Sequence, residues 1–202
     1  MPAIDAYQAT AARYDRDHGR WLRYAGGEAQ CAGEGAISAL LAPGMRVLDA
    51  ACGTGRVARR LNAQVPGLDL TLLDAASAML AFTSDLKAAC VHARMEAMPL
   101  PTGHFDLVTC TWGLETSQAP ATALAELIRV LHPGGHLLLV FCADKRAGSF
   151  FGRLLRHRVS TRGLGQFLDT NWVADQAQRL GAAEIRRLHC TGPAAALLIR
   201  SR

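Results

Sequence analysis

The chain has 202 residues, half of them hydrophobic and 19% charged, and a formal net charge of +5. That length buries one α/β core and little more, and the composition excludes a disordered tail. The mildly basic balance, with a pI near 9.1, carries no basic block of the kind that binds nucleic acid, so an arginine-rich solvated surface and no nucleic-acid partner are expected.

In chain order, residues 5–24 read as a polar helix punctuated by Tyr7, Tyr14, Trp21 and Tyr24, and residues 28–41 as a second helix ended by Ala42-Pro43-Gly44. Met45 to Ala50 is a short apolar run, read as a buried strand, followed by Gly53-Thr54-Gly55 and a helix over Arg56–Gln64. A second strand runs over Leu68–Leu73 to Asp74, a helix over Ser77–Ala88, and a very short third strand over Cys90–Ala93. Phe105–Thr111 is a fourth strand, Pro120–Leu131 a helix, His132-Pro133-Gly134-Gly135 a turn and His136–Cys142 a fifth strand. Residues 145–167 read ambiguously; a helix follows over Asn171–Leu180, with Gly181 at its end. The last strands, Glu184–His189 and Ala194–Arg200, are separated by only Cys190-Thr191-Gly192-Pro193. Repeated strand–helix alternation predicts a doubly wound α/β fold around a mostly parallel seven-stranded sheet. Four residues leave no room for a crossover helix, so the closing strand is expected to run antiparallel.

The six cysteines form no CxxC pair, and the seven histidines show no ligand spacing, so no metal site is expected. Reduced thiols, the absence of a signal peptide over Met1–Asp5 and the absence of an apolar run of spanning length point to a cytoplasmic protein.

The chemistry begins at Val47-Leu48-Asp49-Ala50-Ala51-Cys52-Gly53-Thr54-Gly55. Glycines allow a tight strand-to-helix turn and close approach of a ligand to the backbone. Gly53-Thr54-Gly55-Arg56-Val57-Ala58 also fits the dinucleotide pattern G-x-G-x-x-A, which leaves a nicotinamide enzyme open. Asp49 weighs against that: a carboxylate there repels a pyrophosphate but suits a cationic amino-acid ligand.

These residues resemble the glycine loop of the class I S-adenosylmethionine (SAM)-dependent methyltransferases, with Asp49, Ala51, Gly53 and Gly55 in the expected places. Asp74, ending the second strand, is similar to the family's ribose-binding acid, though a helix cap is its plain alternative. Glu96-Ala97-Met98-Pro99-Leu100-Pro101, Phe105-Asp106 and Arg129-Val130-Leu131-His132-Pro133-Gly134-Gly135 continue the likeness over residues 45–142. The resemblance implies a SAM-binding set of Asp49, Ala50, Ala51, Gly53, Gly55, Asp74, Ala75, Met79, Met95, Glu96, Cys110 and Tyr14. Arg94 departs from it, because many relatives carry an acid there for the adenine amino group and arginine accepts no hydrogen bond. In the family the stretch after the fourth strand borders the methyl-transfer site; here it holds Glu115, a candidate general base or cation ligand, and Trp112, a candidate wall, with a helix-cap or surface carboxylate and a core indole as the alternatives.

The implied activity is methyl transfer from SAM to a small-molecule or lipid-like acceptor, releasing S-adenosylhomocysteine. The alternative is a SAM-fold ligand-binding or partner protein without catalysis. The implied layout is one domain: a helical cap over 1–42, a SAM-binding core over 43–142, and an acceptor-side part with the closing strands over 143–202. Phe150-Phe151-Gly152-Arg153-Leu154-Leu155-Arg156-His157-Arg158 alternates apolar and basic residues, so peripheral membrane contact through 150–158 stands beside an ordinary surface helix with snorkelling arginines.

Overall fold

The computed structural model describes residues 3–143 and 165–202. The segment 150–158, read above as a membrane-contact candidate, lies outside the described residues.

Helix α1 (Ala3–Trp21) passes through a π-helical turn at Leu22–Gly26 into α2 (Gly27–Ser38), so the two expected helices are one course with a widened turn. Then come β1 (Arg46–Ala50), α3 (Arg56–Gln64), β2 (Asp69–Asp74), the short α4 (Ser77–Leu80), β3 (Ala88–His92), β4 (Phe105–Thr111), α5 (Pro120–Arg129) and β5 (Leu131–Cys142). Helix α6 (Thr170–Arg179), β6 (Ala182–His189) and β7 (Ala194–Ser201) close the chain.

The seven strands form one sheet in the order β3-β2-β1-β4-β5-β7-β6. Strands β1 to β5 are parallel, and β7 runs antiparallel to both β5 and β6, as the short final connection requires. The central strands read as nearly continuous apolar runs because both faces are covered. Alternate residues divide between two cores with the period of a strand. Leu137, Leu139 and Phe141 of β5 join Leu124 and Leu127 of α5 on one face, while Leu138 and Val140 join Ile37 of α2 and Leu61 of α3 on the other.

Two elements differ from expectation. The helix expected over 77–88 stops at Leu80 and tightens into a 3₁₀ turn at Ala81–Thr83. Arg59 explains the break: it pairs with Asp85 and donates to the Phe82 carbonyl at 2.6 Å, drawing the chain out of helical register so that β3 starts at Ala88. Strand β5 starts five residues early, at Leu131, and absorbs the expected turn as a bulge: Phe105 pairs with Leu131, then Leu107 with His136.

That bulge sets the register of β5 against β4. Gly135 sits in it with no room for a side chain, since a Cβ would stand 2.9 Å from the His132 carbonyl oxygen and 3.0 Å from that of Phe105. Gly135→Ala is expected to destabilise the protein by about 2 kcal/mol through overpacking against backbone. Urea denaturation checks this as a lower midpoint with an unchanged slope.

Candidate functional site

In an open α/β sheet, ligand sites lie beyond the carboxyl ends of the strands. Here β1 and β4 are parallel neighbours, and both chains leave the sheet through left-handed backbone. Ala51 follows β1 at φ +53°, and Trp112 follows β4 at φ +59°. Side chains seldom hold this conformation away from sites where the surroundings enforce it. The two turns touch: a Cβ on Gly113 would stand 2.5 Å from the Ala51 Cβ and 3.0 Å from Cys110 Sγ.

A cleft opens over these turns, roofed by α1. Ala51, Gly53, Asp74, Ala75, Met79, Met95, Glu96, Tyr14 and Trp112 all line it, and Arg94 joins them. The structure thus brings together most of the expected cofactor set. Ala50, Gly55, Cys110 and Asp49 are not on its wall. Ala50 and Cys110 are buried in the core, with Cys110 Sγ 3.6 Å from Met95 Sδ. Gly55, at φ +79°, makes the turn into α3, where a side chain would press on Thr83 and Leu86.

Asp74 joins the first two loops. Its Oδ2 accepts the Gly53 N–H at 2.8 Å and its Oδ1 the Ala76 N–H at 2.8 Å. Burial raises its pKa, against the pull of these backbone bonds. Each oxygen keeps a further lone pair for a ligand hydroxyl. Asp49 lies beneath the loop and is 1% exposed. Thr109 Oγ1 donates to its Oδ1 at 2.8 Å, and its Oδ2 is buried with no partner among the described residues. Burial pushes its carboxyl up to about 7.

At the other end, Glu96 Oε1 accepts from Ser117 Oγ at 2.7 Å and from Arg94 Nη2 at 3.2 Å. Burial pushes this carboxyl up, but the Ser117 hydroxyl and the Arg94 guanidinium outweigh it and hold Glu96 below its ordinary value. Arg94 therefore puts a satisfied ion pair on the cleft rim.

Helix α1 presents an aromatic face. Tyr7 and Tyr14 meet edge-on at 6.0 Å, Tyr14 stacks on His18 at 5.2 Å, and His18 and Trp21 meet Trp112 edge-on at 6.1 and 5.7 Å. Burial lowers the His18 pKa to about 4, so this ring is neutral at physiological pH. Polar contacts fix the helix: Thr54 Oγ1 donates to Asp15 Oδ1 at 2.6 Å, and Gln8 Nε2 to Ser77 Oγ at 2.9 Å. Trp112 is anchored from behind by Gln30, which accepts its Nε1–H at 2.6 Å. His18, Asp15 and Gln30 escaped the sequence reading. Positions 7, 14, 18 and 21 share one helical face, and that spacing was the available signal for His18. Asp15 and Gln30 had none.

A second cleft lies between α1 and the tips of β4 and β5. Tyr7, Tyr14 and Trp112 border both clefts; His18, Trp21, Glu115 and Cys142 border the second alone. Glu115 is 4% exposed. Its Oε1 accepts the Cys142 N–H at 3.1 Å, and its Oε2 is buried without a partner among the described residues. Burial pushes its carboxyl up to about 7. The two expected catalytic residues therefore stand together, Trp112 between the clefts and Glu115 behind it. Among the described residues no three His, Cys, Asp or Glu side chains form a metal-holding group.

Comparison with known proteins bears on the family and the fold. The methyltransferase domain family matches residues 48–139. A demethylmenaquinone methyltransferase of Thermus thermophilus is 36% identical over 111 residues, covering 52% of this chain and 50% of its own length. A ubiquinone/menaquinone biosynthesis C-methyltransferase UbiE of Methylobacterium nodulans is 41% identical over 101 residues, covering 46% of this chain and 40% of its own. The chain thus spans about half the length of the curated relatives it matches. A solved SAM-dependent methyltransferase of Thermotoga maritima shares the fold with a TM-score of 0.73 at 19% identity, over 99% of this chain and 100% of that one.

The buried acids have a consequence for stability. Glu115 has a folded pKa of about 7. Its unfolded value is about 4. The folded state therefore holds the extra proton between these values, and the stability this contributes is lost as pH rises through that window. At pH 8 the cost is about 3 kcal/mol. Glu115→Gln is expected to stabilise the protein at pH 8 by about 1–2 kcal/mol, the remainder being offset by an unpaired amide, and to give no gain at pH 4. Denaturation at the two pH values checks it.

Proposed function

We infer that this chain is a class I SAM-dependent methyltransferase that transfers a methyl group from SAM to a small-molecule acceptor and releases S-adenosylhomocysteine. The cofactor belongs in the first cleft and the acceptor in the second. The observation that carries this is the double-cleft geometry: Asp74 tied to the glycine loop in one chamber, a buried carboxylate in the other, and Trp112 between them.

The residues of the first cleft fit SAM. Asp74 has lone pairs for two ribose hydroxyls, Gly53 lets the ligand lie against backbone, and the Met79 and Met95 side chains supply flat apolar contact for a purine. Asp49, with one orphaned oxygen under the loop, offers negative charge to the cationic amino-acid end through an intervening water. SAM supplies a methyl already activated by its sulfonium. The protein's work at the methyl group is then alignment and exclusion of water. Trp112, held by Gln30 and by the left-handed turn, and Tyr14 on the roof do both.

This reading divides labour along one domain: 1–42 carries the roof, 43–142 holds the cofactor, and 143–202 completes the acceptor side. Among the described residues no helix is long and apolar enough to cross a membrane. A cytoplasmic location, which suits six unpaired cysteines, is part of the proposal. The matched relatives act in quinone biosynthesis by name, but Tyr7, Tyr14, His18, Trp21 and Cys142, which border the second cleft, all fall outside the family match.

Calorimetric titration tests the reading. S-adenosylhomocysteine is expected to bind, and Asp74→Ala to weaken it at least about tenfold, the value of a charge-assisted hydrogen bond. Absence of heat with the unaltered protein at millimolar ligand rejects it.

A further inference from the structure

We propose that the second cleft takes an aromatic or alkyl amine, bound as its ammonium ion against Glu115 and the surrounding rings, and that Glu115 removes the proton that frees the nitrogen for methylation. This rests on the placement of the cofactor in the first cleft.

Glu115 is the most buried side chain bordering the cleft. The Cys142 N–H donates to one oxygen and the Cys142 thiol also bonds to the carboxylate, while Oε2 keeps no donor among the described residues. A buried carboxylate in that state needs both a hydrogen-bond donor and a compensating positive charge, and an ammonium brings both in one group. The chain supplies no such charge at this depth among the described residues. The bordering arginines, Arg13 and Arg20, have largely exposed side chains and lie beside Asp17 at the outer mouth. The titratable groups around Glu115 are Tyr7 and Tyr14 of α1, Cys110 of β4 and Cys142 of β5, all acids held neutral by burial. His18 is neutral as well and cannot serve as the cation.

The walls point the same way. Tyr7, Tyr14, Trp21 and Trp112 all border this half-open cleft, and aromatic rings beside a carboxylate are a setting that attracts organic cations. Trp112 also borders the cofactor cleft, so a cation held against it lies next to the group that carries the methyl.

The proton step balances within the site. An N–H bond of the ammonium breaks, its electron pair stays on nitrogen as the lone pair, and the proton forms an O–H bond with Glu115 Oε2. Two opposite charges become two neutral groups. Desolvation favours that direction on both sides, raising the acid and lowering the amine. An alcohol gives no such benefit, because its deprotonation leaves a negative charge in the same buried space.

The test uses the full chain saturated with S-adenosylhomocysteine, titrated with phenethylamine, 2-phenylethanol and hydroquinone. The amine is expected to bind at least about tenfold tighter than the alcohol of the same shape, the value of a charged hydrogen bond over a neutral one. Glu115→Gln is expected to erase that difference while leaving S-adenosylhomocysteine affinity unchanged. Equal binding of amine and alcohol by the unaltered protein, preference for hydroquinone, or an amine affinity unmoved in Glu115→Gln overturns the inference while the cofactor reading stands. Failure of S-adenosylhomocysteine to bind the unaltered protein overturns both.

Discussion

The site is organised by the contact between two turns, the one after β1 and the one after β4. Parallel pairing of these central strands brings Ala51 and Gly113 together, close enough that Gly113 has no space for a side chain. Both chains leave the sheet in left-handed backbone, at a local cost that packing must offset. The glycine loop then turns toward Asp74, while Trp112 turns the other way, up toward α1. The two clefts, their shared wall and the burial of the acids behind them all follow from this divergence.

The charges tell a consistent story. Most acids near the site are already answered: Asp74 by two backbone N–H groups, Glu96 by a hydroxyl and a guanidinium, Asp15 by Thr54. Asp49 and Glu115 are each answered on one oxygen only, and each lies behind a different cleft. Folded proteins rarely leave buried polar atoms unpaired, and the exceptions gather where a ligand completes the set. One incomplete acid beneath each chamber matches a site for two ligands that carry positive charge.

Much of the fold was legible in the sequence because strand and helix patterns alternate strongly and the last connection is too short for a crossover. The apolar runs of β1, β4 and β5 were readable for the same reason that they are buried on both faces. The misread elements depend on contacts distant in the chain. No local pattern around Ala81–Thr83 reveals that Arg59, over twenty residues earlier, captures Asp85 and ends the helix. Nor does His132-Pro133-Gly134-Gly135 announce that Phe105 pairs across it and makes the turn a bulge. At the site, residues set in loops by glycine spacing were found: Gly53, Asp74, Met95 and Glu96 line one cleft. The roof was only half legible. Tyr7 and Tyr14 stood out as aromatics in a polar helix, but Asp15 and Gln30 become meaningful only once Thr54 and Trp112 are beside them in space.

The widened turn at Leu22–Gly26 links the roof to a helix packed firmly on the sheet, with Gly26 fitted between Trp21 and Trp112. A π turn holds one residue more than an α turn, so it sets the angular phase of α1 relative to α2. Each residue advances a helix by about 100°, one part in 3.6 of a full turn. Lineages that gain or lose a single codon within these five positions would swing the entire tyrosine-bearing side outward, closing a chapter of chemistry without altering any residue that performs it.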